Sequence, residues 1–396
     1  MRIGFDVSQT GKDKAGCGYF ADSLIQALYR VAPQHEYLLY ASFGPYYWDE
    51  AAPNSALLRL GKTVRLHLRH ADFESAEFFW RHPPAEVWDG PLGMPDLIHS
   101  NNFFVPYPLH HTRLVYTLYD LSFLHHPEWH TNTNWVTTFL GGVYYASLFA
   151  DGIVAISEYT RQDFLRMFPY FPHERIWAVP LASRFPLPDV EPYLPKTVHL
   201  RPGRFWLTVG TLEPRKNYPT LLRAYAGLLR EEREADPLVI AGGQGWRMEY
   251  LQELIVSLGL QQQVHILGYV SDAELQWLYA HCKALVYPSL FEGFGLPVLE
   301  AMSLGAAVIT SRATSLPEVA GDAALLVDPH RVEEIQAAML QVHRDHALRA
   351  ALKERALRQA ARFSWESTAR QVLAIYDRVL SWPKRYVLRG QFPSVP

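Results

Sequence analysis

The sequence predicts an α/β protein made of two doubly wound, Rossmann-like domains in series, and three observations carry that reading. The chain has 396 residues, more than a single core of ordinary size accommodates. Short aliphatic and β-branched runs alternate with segments of helical period, the pattern of parallel sheets with crossover helices. That rhythm breaks once, between Pro169 and Pro202, where prolines interrupt every possible helix and "RFPLPDVEPYLPKTVHLRPG" shows no sustained period. The expected division is an N-terminal domain over 1–195, a C-terminal domain over 196–363, and a helix and tail over 364–396.

In order along the first half, "RIGFDV", "GYFADSLIQALYRV" and "EYLLYAS" read strand, helix, strand, and the rhythm returns in "LVYTL", "GIVAIS" and "IWAVPLA". The second half begins with the strand "RFWLTVGT" and a helix from about Tyr218 to Glu234. It continues through "PLVIAGG", "MEYLQELIVSLG", "VHILGYV", "SDAELQWLYAHC", "ALVYPS", "AAVIT", "SLPEVAG" and "ALLVDP". The final helix, "SWESTARQVLAIYDRVL", has Ser364 as N-cap and is long enough to cross back to the first domain, although packing on its own domain fits the sequence equally.

Composition narrows the function. Apolar residues make up 49% of the chain and the charges nearly cancel, with a formal net charge of −3, so there is no basic footprint for nucleic acid. Cys17 and Cys282 are too few for a disulfide framework, and "MRIGFDVSQTG" lacks the apolar core of a signal peptide, which together point to the cytoplasm. No apolar run approaches the roughly 20 residues that span a bilayer, so any membrane contact is peripheral. The aromatic, proline-rich stretches "FFWRHPPAEVW" and "FFVPYPLHHTR" suit either such a contact or a buried role.

Open α/β sheets bind ligands outside the carboxyl ends of their strands, and two such domains facing each other make a cleft. In "TVGTLEPRKN", Arg215 and Lys216 follow the end of a strand, where two adjacent cations suit a polyanion. Their expected partner is "FEGFGLPVLE". Gly293 and Gly295 let backbone amides approach a ligand, Pro297 opens a helix, and the positive helix start favours phosphate. Glu292 in the loop and Glu300 in the first helical turn stand ready to accept hydrogen bonds from vicinal hydroxyls on either side of a diphosphate. The expected ligand is a sugar nucleotide.

"FEGFGLPVLEAMSLGAAVITSRATSLPEVAGDAALLVDP", with "VGTLEPRKN" and "ILGYVSDAEL", resembles the C-terminal domain of family 4 retaining glycosyltransferases of the GT-B fold. The resemblance implies that Arg215 and Lys216 neutralise the donor diphosphate and that Glu300 holds the ribose. It also implies that Glu292 and the backbone of Gly293, Phe294, Gly295 and Leu296 hold the transferred sugar, with Tyr269 and Val270 beside the base. The first domain resembles the family more weakly. There a loop from Gly16 to Gly18 would close over the donor phosphates, and "VYTLYDLSFLHHPEWH" resembles the acceptor-side segment of the mannosyltransferase-like branch. From that segment Asp120 is carried over, but Tyr119 stands where the branch has a histidine.

The resemblance implies a retaining hexosyl transfer to a hydroxyl of a glycan or lipid-linked acceptor in bacterial surface polysaccharide synthesis, with GDP-mannose as donor and UDP-glucose as its closest competitor. No cofactor or metal is expected. Pro127 breaks the helix that would align His125, His126 and His130, and the chain has no Asp-x-Asp pair for a metal–diphosphate complex. Two rivals stand beside this reading. "GCGYFA" fits a dinucleotide fingerprint, but about nine residues separate it from Val7 and no acid ends the second strand. The other rival is a nucleotide-sugar-binding protein that lost transfer through Tyr119.

Overall fold

The computed structural model describes residues 1–8, 10, 16–41, 60–69, 87–101, 105–130, 133–185, 200–245 and 250–385. The chain forms two compact units. The first comprises Met1–Leu121, Thr133–Leu181 and Trp365–Pro396, and the second Ser122–Asn132 and Ala182–Ser364. The boundary expected at 195–196 lies outside the described residues.

In the first unit, β1 (Arg2–Asp6), α1 (Gly16–Val31), β2 (Glu36–Ala41), β3 (Val64–Arg69), β4 (Leu97–Ser100) and β5 (Arg113–Leu118) come first. The short α2 (Ser122–His125) belongs to the second unit, after which α3 (Thr133–Phe149), β6 (Gly152–Ala155), α4 (Glu158–Met167) and β7 (Ile176–Ala178) complete the sheet. Its order is β3-β2-β1-β4-β5-β6-β7, and every described pairing is parallel.

The second unit contains β8 (Trp206–Val209), α5 (Tyr218–Glu231), β9 (Leu238–Ala241), α6 (Tyr250–Ser257), β10 (Val264–Gly268), α7 (Asp272–His281) and β11 (Ala284–Tyr287). It continues through α8 (Leu296–Ser303), β12 (Ala307–Ser311), α9 (Leu316–Ala320), β13 (Leu325–Val327), α10 (Val332–Arg344) and α11 (His346–Ala360). The sheet runs β10-β9-β8-β11-β12-β13, again all parallel among the described pairs. In each sheet the chain winds outward in one direction from the first strand and then in the other from the fourth. The switch points, where such sheets open a crevice, lie between β1 and β4 and between β8 and β11.

Burial explains the short strands. β8, β9 and β11 are buried at every position, so "WLTV", "LVIA" and "ALVY" are continuous apolar runs rather than alternating ones. α5 and α10 pack on that sheet through Leu221, Leu222, Tyr225, Leu228, Ile335, Met339 and Val342. The last helix, α12 (Trp365–Ser381), lies in the first unit. Its Tyr376 is fully buried, with its hydroxyl 2.6 Å from His99 Nδ1 on β4, and Thr368 Oγ1 donates to the Pro180 carbonyl at 2.8 Å.

One expectation changes here. Gly16 and Gly18 are not in a loop, since both lie in the first turn of α1. The buried face of that helix (Gly18, Phe20, Ala21, Leu24, Ile25 and Leu28) outweighs the local preference of two glycines for a turn. In the two aromatic, proline-rich stretches, residues 78–86, 103 and 104 lie outside the described residues. The described Trp88, Val105 and Leu109 are buried.

Candidate functional site: a cation pair at a sheet switch point

At the carboxyl end of β8 the chain turns through a short 3-10 helix, Pro214–Lys216, and Asn217 then takes a left-handed conformation with φ 61°. Asn217 Nδ2 donates to the carbonyls of Pro288 (3.0 Å) and Pro329 (2.6 Å). The Arg215 carbonyl accepts from the Leu290 amide at 2.7 Å. These bonds fasten the turn after β8 to the loop after β11, the two loops that flank the switch point, and to the turn after β13.

The joint holds Arg215, Lys216 and Glu292 together. Glu292 is 6% exposed. Its Oε1 accepts from Lys216 Nζ at 2.6 Å, with the Tyr287 and Ser289 hydroxyls each 2.7 Å away, and its Oε2 accepts from Arg215 Nη1 at 2.7 Å. Arg215 Nε also pairs with Glu213 Oε1 at 2.6 Å. Burial alone would raise the Glu292 carboxyl, but Arg215 and then Lys216 outweigh it and hold the group down at about 2. Lys216 in the same pair is also shifted down, which for an ammonium favours the neutral form. Burial first, and Arg215 second, lower its ammonium against the pull of Glu292. We place the charge on both partners, since one carboxylate between two cations gains more by ionising than either cation loses.

Glu292 is also held through its backbone. Its amide donates to Thr314 Oγ1 at 3.1 Å, and Ser315 Oγ donates to its carbonyl at 2.8 Å. Thr314 has φ 55°, a region that β-branched residues rarely enter, so strain lies directly beside the cation pair. The glycine-rich loop then enters α8 through Gly295, whose φ is 108° and whose added Cβ would stand 2.6 Å from Leu316 Cδ2. Gly295→Ala is therefore expected to cost roughly 1–3 kcal/mol in a urea melt, a strained backbone and a clash together. A variant as stable as the parent would show that this turn does not need glycine.

The remaining sequence candidates fall in several places. The Phe294 side chain is buried, edge-on to Phe363 at 6.0 Å, and its carbonyl accepts from Ser315 Oγ at 2.9 Å. Leu296 is the first residue of α8. Glu300 is the fifth, so it lies in the second helical turn rather than the first. Its partners differ from those of Glu292, with Arg184 Nε 2.9 Å from Oε1 and the Tyr279 hydroxyl donating to Oε2 at 3.1 Å. Tyr269 and Val270 follow the end of β10 at the sheet edge, where Tyr269 is 60% exposed.

Asp120 follows β5 in the first unit, with Tyr119 before it. The Tyr119 hydroxyl donates to the Asn101 carbonyl at 3.1 Å, and burial raises this phenol well above its ordinary range. Asn101 Nδ2 in turn donates to the Asp6 carbonyl at 3.0 Å, at the β1–β4 switch point. The Asp6 carboxyl, pushed up by burial to about 6, accepts from the amide and hydroxyl of Ser8. Among the three candidate histidines, His126 pairs with Glu128 at 2.9 Å and stacks on Trp129, while the His125 ring packs against Phe291 at 5.7 Å. Among the described residues no three His, Cys, Asp or Glu side chains converge on a position that could hold a metal ion.

Sequence reasoning missed Glu213, Tyr287, Ser289, Tyr279 and Arg184. Two adjacent cations heading for burial need counter-charge nearby, and that rule would have found Glu213. Polar side chains at the carboxyl end of a buried strand would have marked Tyr287 and Ser289. Arg184 and Tyr279 carry no local signal.

Residues 193–359 match the family described as Glycosyl transferases group 1, a span that holds the cation pair and both glutamates. An O-antigen chain mannosyltransferase B of Escherichia coli is 38% identical over 301 residues, which is 74% of this chain and 77% of that protein. The chain belongs to the group 1 glycosyltransferases. Within them it falls in a mannosyltransferase-like branch, since the serotype-specific mannosyltransferase WbdA of Escherichia coli is 41% identical over 181 residues, 45% of this glycosyltransferase and 22% of WbdA. Its fold is GT-B. The Anabaena protein Alr3699/HepE, solved in complex with UDP and glucose, superposes with a TM-score of 0.69 at 20% identity, covering 96% of this chain and 100% of its own. Sucrose-phosphate synthase from Thermosynechococcus elongatus gives a TM-score of 0.72 at 20% identity, over 96% of this chain and 99% of its own. Among the described residues no helix of this glycosyltransferase is long and apolar enough to cross a membrane.

Proposed function

We propose that the enzyme transfers a mannosyl group from GDP-mannose, with retention and without a metal ion, to a hydroxyl of a glycan or lipid-linked acceptor in bacterial surface polysaccharide synthesis. The observation that carries the reading is the Arg215–Lys216–Glu292 cluster, with Lys216 and Glu292 buried and Arg215 half-buried, bolted across a switch point beside a glycine-gated helix start. The relatives named mannosyltransferases support the choice of sugar.

In this reading the diphosphate lies against Arg215, Lys216 and the amides from Gly293 to Leu296, Glu292 meets the sugar, and Glu300 meets the ribose. Tyr269 and Val270 flank the base, and Asp120 of the first unit serves the acceptor. Breaking the bond between the anomeric carbon and phosphate places negative charge on the leaving diphosphate and oxocarbenium character on the sugar. Donors already held in place by Glu292 and Glu213 stabilise that charge without reorganising. The leaving phosphate takes the acceptor proton, and the new bond forms on the face the phosphate leaves. Acceptor binding falls to the first unit, at its own switch point.

Slow hydrolysis of radiolabelled GDP-mannose and UDP-glucose tests the donor, because a transferase without acceptor still leaks its activated sugar to water. The expected result is faster release of mannose than of glucose, unchanged by excess EDTA. Preference for UDP-glucose would move the enzyme to the other donor class. Loss of activity in EDTA with recovery in magnesium or manganese would overturn the metal-free mechanism.

A further inference from the structure

We propose that Arg184 is a positioning residue for nucleotide binding, whose guanidinium keeps Glu300 ionised so that the carboxylate can accept hydrogen bonds from both ribose hydroxyls. The inference rests on the proposed ribose role of Glu300 and adds a residue to it.

Glu300 is 5% exposed, which is expensive for a carboxylate unless it is paired. Arg184 supplies the pairing from a segment distant in sequence, with Nε 2.9 Å from Oε1. The guanidinium is itself fixed from two other sides, by Asp272 Oδ1 at 3.1 Å from Nη1 and by the Phe185 ring, whose centroid lies 4.8 Å below it. Phe185 also meets the Tyr279 ring at 6.1 Å, and Tyr279 donates to the other oxygen of Glu300. An ionised carboxylate has about four acceptor directions, so one contact on each oxygen leaves room for two vicinal hydroxyls.

The groups that face Glu300 are Arg184 from the segment before Phe185, and Tyr279 and Asp272 from α7. Burial raises the Glu300 carboxyl above its ordinary value even with Arg184 in place, and Asp272 adds to the rise. Without the guanidinium the opposing charge is gone, and the carboxyl protonates at a still higher pH. A protonated carboxyl donates one hydrogen bond and loses acceptor capacity, which mismatches two hydroxyls that both need to donate. Arginine suits this task because it stays charged at every working pH.

The test is calorimetric titration with GDP and with 2′,3′-dideoxy-GDP from pH 6 to 9, for the parent, Arg184→Met and Arg184→Lys. The ratio of the two dissociation constants isolates the ribose hydroxyls, because phosphate and guanine titrations are common to both ligands and cancel. The parent should prefer GDP by about tenfold or more across the upper part of this range. In Arg184→Met the preference should fall to less than about threefold at neutral pH and return as the pH rises. Arg184→Lys, which retains a cation, should keep it. An Arg184→Met variant with the parent's ratio and pH profile overturns the inference. So does one that binds GDP more tightly, which would make Arg184 a cover over Glu300, and so does an Arg184→Lys variant that loses the preference. A parent that binds both ligands equally removes the ribose role of Glu300 itself, and the inference with it.

Discussion

Replacing Lys216 with alanine is expected to lower kcat with the sugar nucleotide by roughly a hundredfold or more. The ammonium is buried to 8% exposure and held by Glu292 at 2.6 Å and the Tyr287 hydroxyl at 2.6 Å, so it does not reorganise when the diphosphate departs. A donor fixed in a site of low dielectric acts most on the charge that grows in the transition state, which places the loss in kcat more than in KM. Initial rates over a range of donor concentrations make the separation. Near-normal kcat would show that the growing charge is met elsewhere, and a change confined to KM would limit Lys216 to ground-state binding.

Glu292→Gln should show a large effect on stability. The substitution keeps the shape and removes the charge that balances Arg215 and Lys216, and breaking a buried pair from one side costs about 3–5 kcal/mol. The acid limb of the stability curve supplies a second check. Since the carboxyl is held at about 2 in the folded chain, below its ordinary 4.5, its contribution is complete above pH 4.5 and disappears as the pH falls toward 2. That difference corresponds to about 3 kcal/mol, in line with the lower end of the mutational range. Urea melts at pH 7 should therefore show a large loss in the variant, and melts near pH 2 a much smaller one. GDP should restore part of the loss at pH 7, because its diphosphate supplies the missing counter-charge. A variant equally stable at pH 7 would mean that Glu292 does not balance the cations.

Much of the second unit was legible because β8, β9, β11 and β12 are buried throughout and read as largely apolar runs bounded by turns. β3 and β4 were not. "VRLHLR" alternates apolar with charged or imidazole residues at the sheet edge, and "LIHS" hides a buried strand behind a histidine. His99 tolerates burial because Tyr376 and Thr117 meet its two ring nitrogens at 2.6 and 2.7 Å, a partnership across most of the chain that no local pattern displays. The pairing of cations with glycine-rich loop was legible because both motifs follow strand ends. What each acid touches was not. Side-chain type and spacing put Glu292 and Glu300 at a ligand, whereas the fold first gives Glu292 to two cations and Glu300 to Arg184. Gly16 and Gly18 read as a loop because propensity is local, whereas the buried face of α1 that makes them helical is not.

The central claim is that the two glutamates of "FEGFGLPVLE" act on different parts of one sugar nucleotide, and calorimetric titration of GDP into Glu292→Gln and Glu300→Gln tests it most directly. Glu300→Gln should weaken GDP by about tenfold, as a charge-assisted hydrogen bond becomes a neutral one. Glu292→Gln should bind GDP at least as tightly as the parent, since GDP lacks the sugar and the diphosphate gains two less-neutralised cations, while its turnover of GDP-mannose falls. Equal losses of GDP affinity in both variants would contradict the account.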